Sequence, residues 1–287
     1  MRVRLHSISF LALLTGIACG GTGRDDTPNA NRSPRTPPVI TVTASETGYH
    51  APDTLSAGLT TIRFVNDTDV MHMAHLVKIR GAHSIDELVE AYAEAIRTRG
   101  PRPEWMTRFG GPMAEPHSTA ASVTQDLEPG LYAWVCGLEM PDGTIHFTAG
   151  EAQALVVLPT NDQAASLAAP AVDNTMQLSD YAFALQAPLR SGPQTLKVEN
   201  LGPEPHEVAL AKLAPGMTVA DVEAWLNDPQ GPPPATVVGA VTALAPSLTA
   251  YLELNLTPGF YVLLCFVSAP DGRPHIAHGM IQQVTVM

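Results

Sequence analysis

The chain has 287 residues, which is enough for two domains of ordinary size. Its formal net charge of -12 disfavours nucleic acid as a partner, because an acidic surface repels the phosphate backbone. Only 15% of the residues are charged, whereas Gly (22) and Pro (26) are frequent. Many turn residues and few charges are typical of an all-β chain of short strands, so a helical bundle is not expected.

Residues 1–19 are typical of a secretory signal peptide. Arg2 and Arg4 form its positive end, an apolar stretch follows, and small residues precede Cys19. The ending Gly-Ile-Ala-Cys resembles a bacterial lipobox, which implies that Cys19 is lipidated and holds the protein at a bacterial membrane, outside the cytoplasm. Because Gly20 is not the Asp that marks inner-membrane retention, the resemblance favours the outer membrane, on its periplasmic face or at the cell surface. An ordinary cleaved signal with an incidental Cys stays open as the alternative.

The stretch that follows the leader, residues 20–37, is polar and rich in Gly and Pro. This composition predicts a flexible tether between a membrane anchor and a folded body. No other segment is long and apolar enough to predict a membrane span.

The remaining chain alternates short strand patterns with two helical stretches. Ser84-Ile-Asp-Glu resembles a capping box that opens a helix to about Thr98, and Thr218 to Leu226 predicts a second helix. Alternating runs predict half-buried strands and wholly apolar runs predict central strands. In chain order, the expected strands are Thr60–Val65, Leu131–Val135, Thr195–Val198, Leu248–Leu254 and Phe260–Leu264.

The chain contains an internal repeat. Asn66–Ala91 aligns with Asn200–Trp225 at an offset of 134 residues, and Gly110–Gly150 aligns with Gly239–Gly279 at an offset of 129. So many ordered matches indicate a duplicated domain. We therefore predict an all-β fold of two tandem Greek-key β-sandwiches, each with a short helical insertion. The expected boundaries are 38–159 for domain 1, 160–170 for a linker and 171–287 for domain 2.

Four residues of domain 2 fit the requirements of a type 1 copper site. Such a site needs two neutral imidazoles and a thiolate in a near-trigonal plane, with a weak axial thioether. In a sandwich the first His comes from an upstream strand, and the other three ligands come from the end of a late strand and the loop after it. The candidates in that order are His206, Cys265, His275 and Met280.

Two segments resemble the cupredoxins. Asn200-Leu-Gly-Pro-Glu-Pro-His206 is similar to the first-ligand segment of plastocyanin-like proteins, and His275-Ile-Ala-His-Gly-Met280 resembles the end of the type 1 copper loop in copper nitrite reductases. That family also carries two cupredoxin domains in tandem, so the resemblance implies a cupredoxin-like fold from about residue 38 to 287. The chain departs from the pattern at Glu207, where Asn is more usual, and its Cys-to-His loop is one residue longer.

Domain 1 carries a degenerate version of the same set, and a second copper is not expected there. It retains His72, Cys136 and His146, but Glu151 stands where the Met is matched. The carboxylate could serve as a harder axial donor, or the set could be the remnant of a lost site.

Two other histidines are alternative ligands, and a disulfide between the two cysteines is an alternative to copper binding. The repeat spacing favours His72, whereas strand alternation could favour His75; His278 ranks behind His275 because its counterpart in domain 1 is an alanine. Cys136 and Cys265 could bridge in an oxidising compartment, but equivalent positions of separate sandwiches are not expected to approach within the roughly 7 Å that a disulfide requires.

Three functions remain open from the sequence. The first is copper binding with one-electron transfer to a redox protein partner. The second is a metal-free sandwich used for binding or assembly, because fold does not dictate function. The third, an oxidase or nitrite-reductase-like enzyme, is disfavoured: those families place a His directly before the type 1 Cys, whereas Val135 and Leu264 precede the two cysteines here. No catalytic residues are therefore assigned.

Overall fold

The computed structural model describes residues 35–140, 142–160 and 167–287. The predicted signal peptide with Cys19, most of the predicted tether and residues 161–166 of the predicted linker lie outside the described residues. No helix among those described has the length and apolar character needed to cross a membrane.

The first repeat contains short strands and one α-helix, α1 (Ile85–Arg97). Its strands are β1 (Val39–Ser45), β2 (Gly48–His50), β3 (Thr54–Ser56), β4 (Gly58–Asn66), β5 (His72–Met73), β6 (His75–Ile79), β7 (Met106–Gly110), β8 (Met113–Ala114), β9 (Ser118–Thr119), β10 (Val123–Leu127), β11 (Gly130–Val135) and β12 (Ala152–Leu158). A 3₁₀ turn covers His146–Ala149.

The second repeat follows the same plan with fewer, longer strands and the helix α2 (Val219–Asn227). Its strands are β13 (Asn174–Ser179), β14 (Ala182–Leu185), β15 (Gly192–Asn200), β16 (His206–Leu213), β17 (Ala235–Leu244), β18 (Thr249–Leu256), β19 (Gly259–Leu264) and β20 (Ile281–Val286). A 3₁₀ turn covers His275–His278.

Both predicted helices are confirmed, together with the reason they begin where they do. The Ser84 hydroxyl accepts from the backbone of Glu87 while the Glu87 carboxylate accepts from the backbone of Ser84, which is a complete capping box. Thr218 and Asp221 form the same reciprocal pair at α2. Each box satisfies backbone donors that the first helical turn leaves without partners.

The strands form two large sheets that each run through both repeats. One has the order β14-β13-β15-β18-β10-β4-β1-β2, with β9 also pairing with β4, and the other has the order β20-β19-β16-β17-β7-β6-β11-β12-β3. The joins are antiparallel: Val123 of β10 pairs with Leu252 of β18, and Phe109 of β7 pairs with Leu244 of β17. Val123 and Leu252 are equivalent positions of the repeat, so the sandwiches meet through the same strand of each copy.

Each repeat has its own hydrophobic core between the sheets. Trp134 and Phe64 are fully buried in the first, and Leu252 and Leu263 are fully buried in the second. This architecture confirms the predicted fold class of two tandem β-sandwiches, each with a helical insertion. The described residues from Arg35 onward form one compact unit, in which the shared sheets join the repeats directly.

Candidate metal centre

Clusters of three or more candidate metal-binding side chains of the His, Cys, Asp and Glu types occur at two places in the described part of the chain. One is His206, Cys265 and His275; the other is His72, Cys136, His146 and Glu151. Within each cluster the candidate ligand atoms all lie within 4.8 Å of one another. The structure thus brings together the residues that the repeat alignment selected in each domain.

In the second repeat the ligand loop is held by its own backbone. Cys265 follows β19 directly, His275 opens the 3₁₀ turn, and Met280 stands between that turn and β20. The Cys265 N–H donates to the Met280 carbonyl at 3.3 Å, and the Met280 N–H donates to the His275 carbonyl at 3.0 Å. These bonds bring the three loop residues together beside His206, the first residue of β16.

The four candidate ligands of the second repeat are fully buried. His206, Cys265, His275 and Met280 each show 0% exposure. The Nδ1 atoms of His206 and His275 lie 3.0 Å apart, and the Cys265 Sγ lies 3.4 Å from the His275 Nδ1. Met280 belongs to the same hydrophobic core as Cys265.

Two carboxylates lie on the far side of the imidazoles. The Asp180 Oδ1 is 3.0 Å from the His206 Nε2, and the Glu204 Oε2 is 3.1 Å from the His275 Nε2. An ionised carboxylate only accepts hydrogen bonds, so each imidazole donates from Nε2 and leaves the Nδ1 lone pair toward the cluster. Two lone pairs 3.0 Å apart beside a sulfur repel one another unless a cation or a proton lies between them. The donor set therefore fits a soft metal ion.

The electrostatics of the cluster keep the imidazoles neutral. Burial lowers the pKa of His206, and burial with the neighbouring His206 lowers the pKa of His275 to about 4. Burial raises the pKa of the Cys265 thiol, and the nearby Glu207 raises it further. Neutral imidazoles are competent ligands at neutral pH, whereas the thiol loses its proton when a bound cation supplies compensating charge.

Glu207, the departure from the cupredoxin pattern, ties the first-ligand strand to the ligand loop. Its backbone N–H donates to the Cys265 Sγ at 3.4 Å, and its side-chain Oε1 accepts from the Phe266 N–H at 2.7 Å. The first contact uses backbone alone, so the strand geometry preserves it whichever side chain stands at this position. Hydrogen bonds to a ligand sulfur are one means of tuning a metal site.

Gly202 is a site-shaping residue that the sequence analysis missed. A Cβ at this position would lie 2.8 Å from both the Asp180 Oδ1 and the His206 Nε2. Gly202 therefore makes room for the bond between these two residues. Asn200 fixes the same segment: its side-chain amide donates to the Glu204 and Leu244 carbonyls, each at 2.8 Å.

The rival His278 lies outside the cluster. Its Nε2 is 3.2 Å from the Asp271 Oδ1, and its ring stacks on Tyr181 with centroids 4.8 Å apart. Tyr181 also meets His275 edge-on at 4.8 Å, so the ring lies between the two histidines.

The first repeat places its carboxylate on the other side of the imidazoles. The Glu151 Oε2 lies 2.6 Å from the His72 Nδ1, and the Glu151 Oε1 lies 3.4 Å from the His146 Nδ1. The two Nδ1 atoms are 3.2 Å apart, and the Cys136 Sγ is 3.5 Å from the His146 Nδ1. Glu151 thereby holds His72 in the Nδ1–H form, whose Nδ1 cannot coordinate until that proton leaves. Burial raises the pKa of Cys136 to about 12.

His75 does not belong to the first cluster, so the structure selects His72 between the two. The His75 Nδ1 lies 2.9 Å from the Thr242 Oγ1 of the second repeat, and its buried Nε2 has no hydrogen-bond partner among the described residues. Burial, with Arg108 nearby, lowers its pKa to about 3. Cys136 and Cys265 are both free thiols, each buried in the core of its own repeat.

Comparisons with known proteins return likenesses to copper proteins. An auracyanin from Roseiflexus castenholzii is 23% identical over 41% of this chain and 99% of its own, with a TM-score of 0.28. Auracyanin A, a blue copper protein from Chloroflexus aurantiacus, is 24% identical over 42% of this chain and 99% of its own, with a TM-score of 0.30. A copper nitrite reductase from Nitrosomonas europaea is 13% identical over 88% of this chain and 94% of its own, with a TM-score of 0.26. No family model and no curated protein matches the sequence.

Proposed function

We propose that the protein binds one copper ion in the second repeat and transfers single electrons there. His206 and His275 would hold the ion through Nδ1, Cys265 through its thiolate, and Met280 through its thioether. When bound, copper supplies a one-electron couple between its Cu(I) and Cu(II) states. The observation that carries the proposal is the pair of Nδ1 lone pairs held 3.0 Å apart beside a buried sulfur.

The chain's own residues prepare this site before any ion arrives. Asp180 and Glu204 hold both imidazoles in the tautomer that coordinates through Nδ1. Complete burial of the candidate ligands excludes water, which suits a centre that changes charge without exchanging ligands. A soft set of imidazole, thiolate and thioether selects copper over harder ions.

A metal-free role is favoured only for the first repeat. There Glu151 satisfies the Nδ1–H group of His72 and lies within 3.4 Å of the His146 Nδ1, so that cluster is compensated without an ion. This repeat also supplies β10, which pairs with β18, and β7, which pairs with β17, so that both sheets continue into the second repeat. We therefore assign it a structural part rather than a second copper.

We also propose that the protein is a lipoprotein held through Cys19 at a bacterial membrane outside the cytoplasm, on the periplasmic face of the outer membrane or at the cell surface, where it meets a redox protein partner. The support is the leader and lipobox pattern of the sequence. Growth of the producing bacterium with labelled palmitate tests this. Label should enter the protein and be lost in Cys19→Ala, and labelling that persists in the variant would contradict the anchor.

The redox function is tested with the copper-loaded chain from residue 20 onward. Stepwise reduction should consume one electron per protein and should be reversed on reoxidation. Replacing Met280 by Gln should lower the reduction potential, because an amide oxygen is a harder donor than a thioether and brings no charge to the imidazoles. Met217→Gln is the matched control, since Met217 is 42% exposed and lies outside the cluster. A potential that moves equally in both variants would contradict the role of Met280.

A further inference from the structure

A cavity of about 670 Å³ lies where the repeats meet. One wall comes from the first repeat and includes residues 99–103, which follow α1, and residues 106–108 at the start of β7. The other wall belongs to the second repeat and includes Glu204, Pro205 and residues 268–270 of the loop between Cys265 and His275. Five prolines at positions 101, 103, 205, 246 and 270 line it, so the walls are stiff.

The charge of this cavity is opposite to that of the protein. Arg80, Arg99, Arg102 and Arg108 all line it, which is four of the 16 Lys and Arg residues of a chain with net charge -12. Glu204 is the carboxylate in the lining, and its Oε2 already accepts from His275. The four guanidinium groups therefore dominate the field inside.

None of the four guanidinium groups lies within 4.0 Å of a carboxylate oxygen of the described part of the chain, although the buried Glu207 interacts with Arg108 at longer range. Arg80 donates to the Glu104 carbonyl. Arg102 donates to the carbonyls of Ala95 in α1 and of Gly100 after it, and its guanidinium carbon lies 5.4 Å from the centre of the Tyr92 ring. The Nε of Arg102 is buried and has no hydrogen-bond partner among the described residues. Arg108 is half-buried and makes no side-chain hydrogen bond to another described residue. Cations shielded from water without compensating charge are costly, and an anion between them removes that cost.

We propose that this cavity binds a small polyvalent oxyanion, either a phosphate or a di- or tricarboxylate. Guanidinium groups match the oxygen pairs of both with two parallel hydrogen bonds. Arg102 and Arg108 are the half-buried arginines of the lining and would supply the least hydrated donors, whereas Arg80 and Arg99 are its exposed arginines. The site does not depend on copper, although its walls include the segments that carry His206 and His275.

The test is calorimetric titration of the metal-free chain with sodium phosphate, and separately with citrate, at constant ionic strength set with chloride. Saturable binding of one anion per chain is expected, together with a higher unfolding midpoint. Arg108→Gln should weaken binding at least tenfold. Arg190→Gln is the control, because it removes the same charge from an exposed Arg that pairs with Asp173.

Phosphate and citrate are tested separately because the arginines could recognise either a phosphate or a carboxylate ligand. Binding of phosphate alone identifies a phosphate site, and binding of citrate alone identifies a carboxylate site. If neither binds more tightly than chloride, or if Arg190→Gln weakens binding as much as Arg108→Gln, the inference is overturned. Arg99→Gln provides a second variant at an exposed position, so that failure of Arg108→Gln to fold does not prevent the test.

Discussion

Substitution of Gly202 by Ala probes how the second-repeat cluster is held. The added Cβ would lie 2.8 Å from both the Asp180 Oδ1 and the His206 Nε2, whereas ordinary contact begins at 3.4 Å. His206 is fully buried, but the Asp180 side chain is 38% exposed. The carboxylate is therefore the group that moves, and the hydrogen bond that fixes the His206 tautomer is lost.

The expected cost is large enough to measure. Loss of the partner that orients a metal-binding His lowers metal affinity by about 10- to 100-fold, or about 1.4–2.8 kcal/mol. Competition of Gly202→Ala against a chelator, read at the thiolate-to-copper band, measures this in a Cys136→Ser background that silences the first repeat. Asp180→Ala should reproduce most of the loss, since it removes the acceptor without adding bulk at position 202.

Gly137→Ala is the matched control for that experiment. An added Cβ at Gly137 has nothing within 4 Å, and this glycine belongs to the other repeat. The Gly137→Ala variant should bind copper at the second repeat as tightly as the Cys136→Ser protein without a further substitution. If Gly202→Ala binds copper as tightly as the parent, or if Gly137→Ala loses as much, the proposed role of the Asp180–His206 bond is wrong.

Three further predictions concern the rest of the molecule. In a Cys265→Ser background, which should show no thiolate-to-copper band, Glu151→Met should create one, because it removes the carboxylate from the His72 Nδ1; a spectrum still without the band would contradict the proposed compensation. Asn200→Ala should destabilise the fold by about 1–3 kcal/mol in urea denaturation, because it leaves the buried Leu244 carbonyl and the part-buried Glu204 carbonyl without their donor; an unchanged free energy of unfolding would refute this. Because the pKa of His75 falls from 6.5 to about 3 on folding, the unfolded chain binds this proton first as pH decreases, so this group costs about 1.4 kcal/mol of stability per pH unit below 6.5. His75→Phe should make the fall in stability between pH 6 and pH 4 (about two units) shallower, whereas the exposed His50→Gln should not; equal slopes would contradict it.

Much of the candidate site could be predicted because its residues repeat along the chain. The two offsets placed His206, Cys265 and His275 on His72, Cys136 and His146, and the structure brings both sets together. A capping box marked the first helix because its signal is local, within four consecutive positions, and the second helix was predicted as its counterpart in the repeat. The same alignment ranked His72 over His75 and His275 over His278, as the structure has it.

The groups behind the ligands could not be predicted in this way. Asp180 lies 26 residues before His206, in the turn between β13 and β14, and only the fold brings the two together. Gly202 matters because it has no side chain and so leaves room for the bond between Asp180 and His206. A glycine offers no ligand or hydrogen-bonding side chain, so the sequence alone does not mark it as part of a site. The repeats differ in which ring nitrogen the carboxylates contact. In the first repeat Glu151 lies on the Nδ1 atom of His72, whereas in the second Glu204 lies on the Nε2 atom of His275. The residue types along the chain do not indicate which ring nitrogen a carboxylate will contact.

The joining of the repeats also required the structure. β10 pairs with β18, its own counterpart in the other copy. Each strand has the pattern of an ordinary sandwich strand, and nothing in a single sequence indicates which edge remains available to a partner. The arginine-lined cavity follows from this join, because its two walls come from different repeats.

The central claim is that the second repeat holds copper through Cys265. The most direct measurement is the absorption spectrum of the chain from residue 20 onward after loading with Cu(II), compared between Cys265→Ser and Cys136→Ser. We predict an intense thiolate-to-copper band in the visible that Cys265→Ser abolishes and Cys136→Ser leaves in place. A chain that takes up no stoichiometric copper, or a band that survives in Cys265→Ser, would contradict the account.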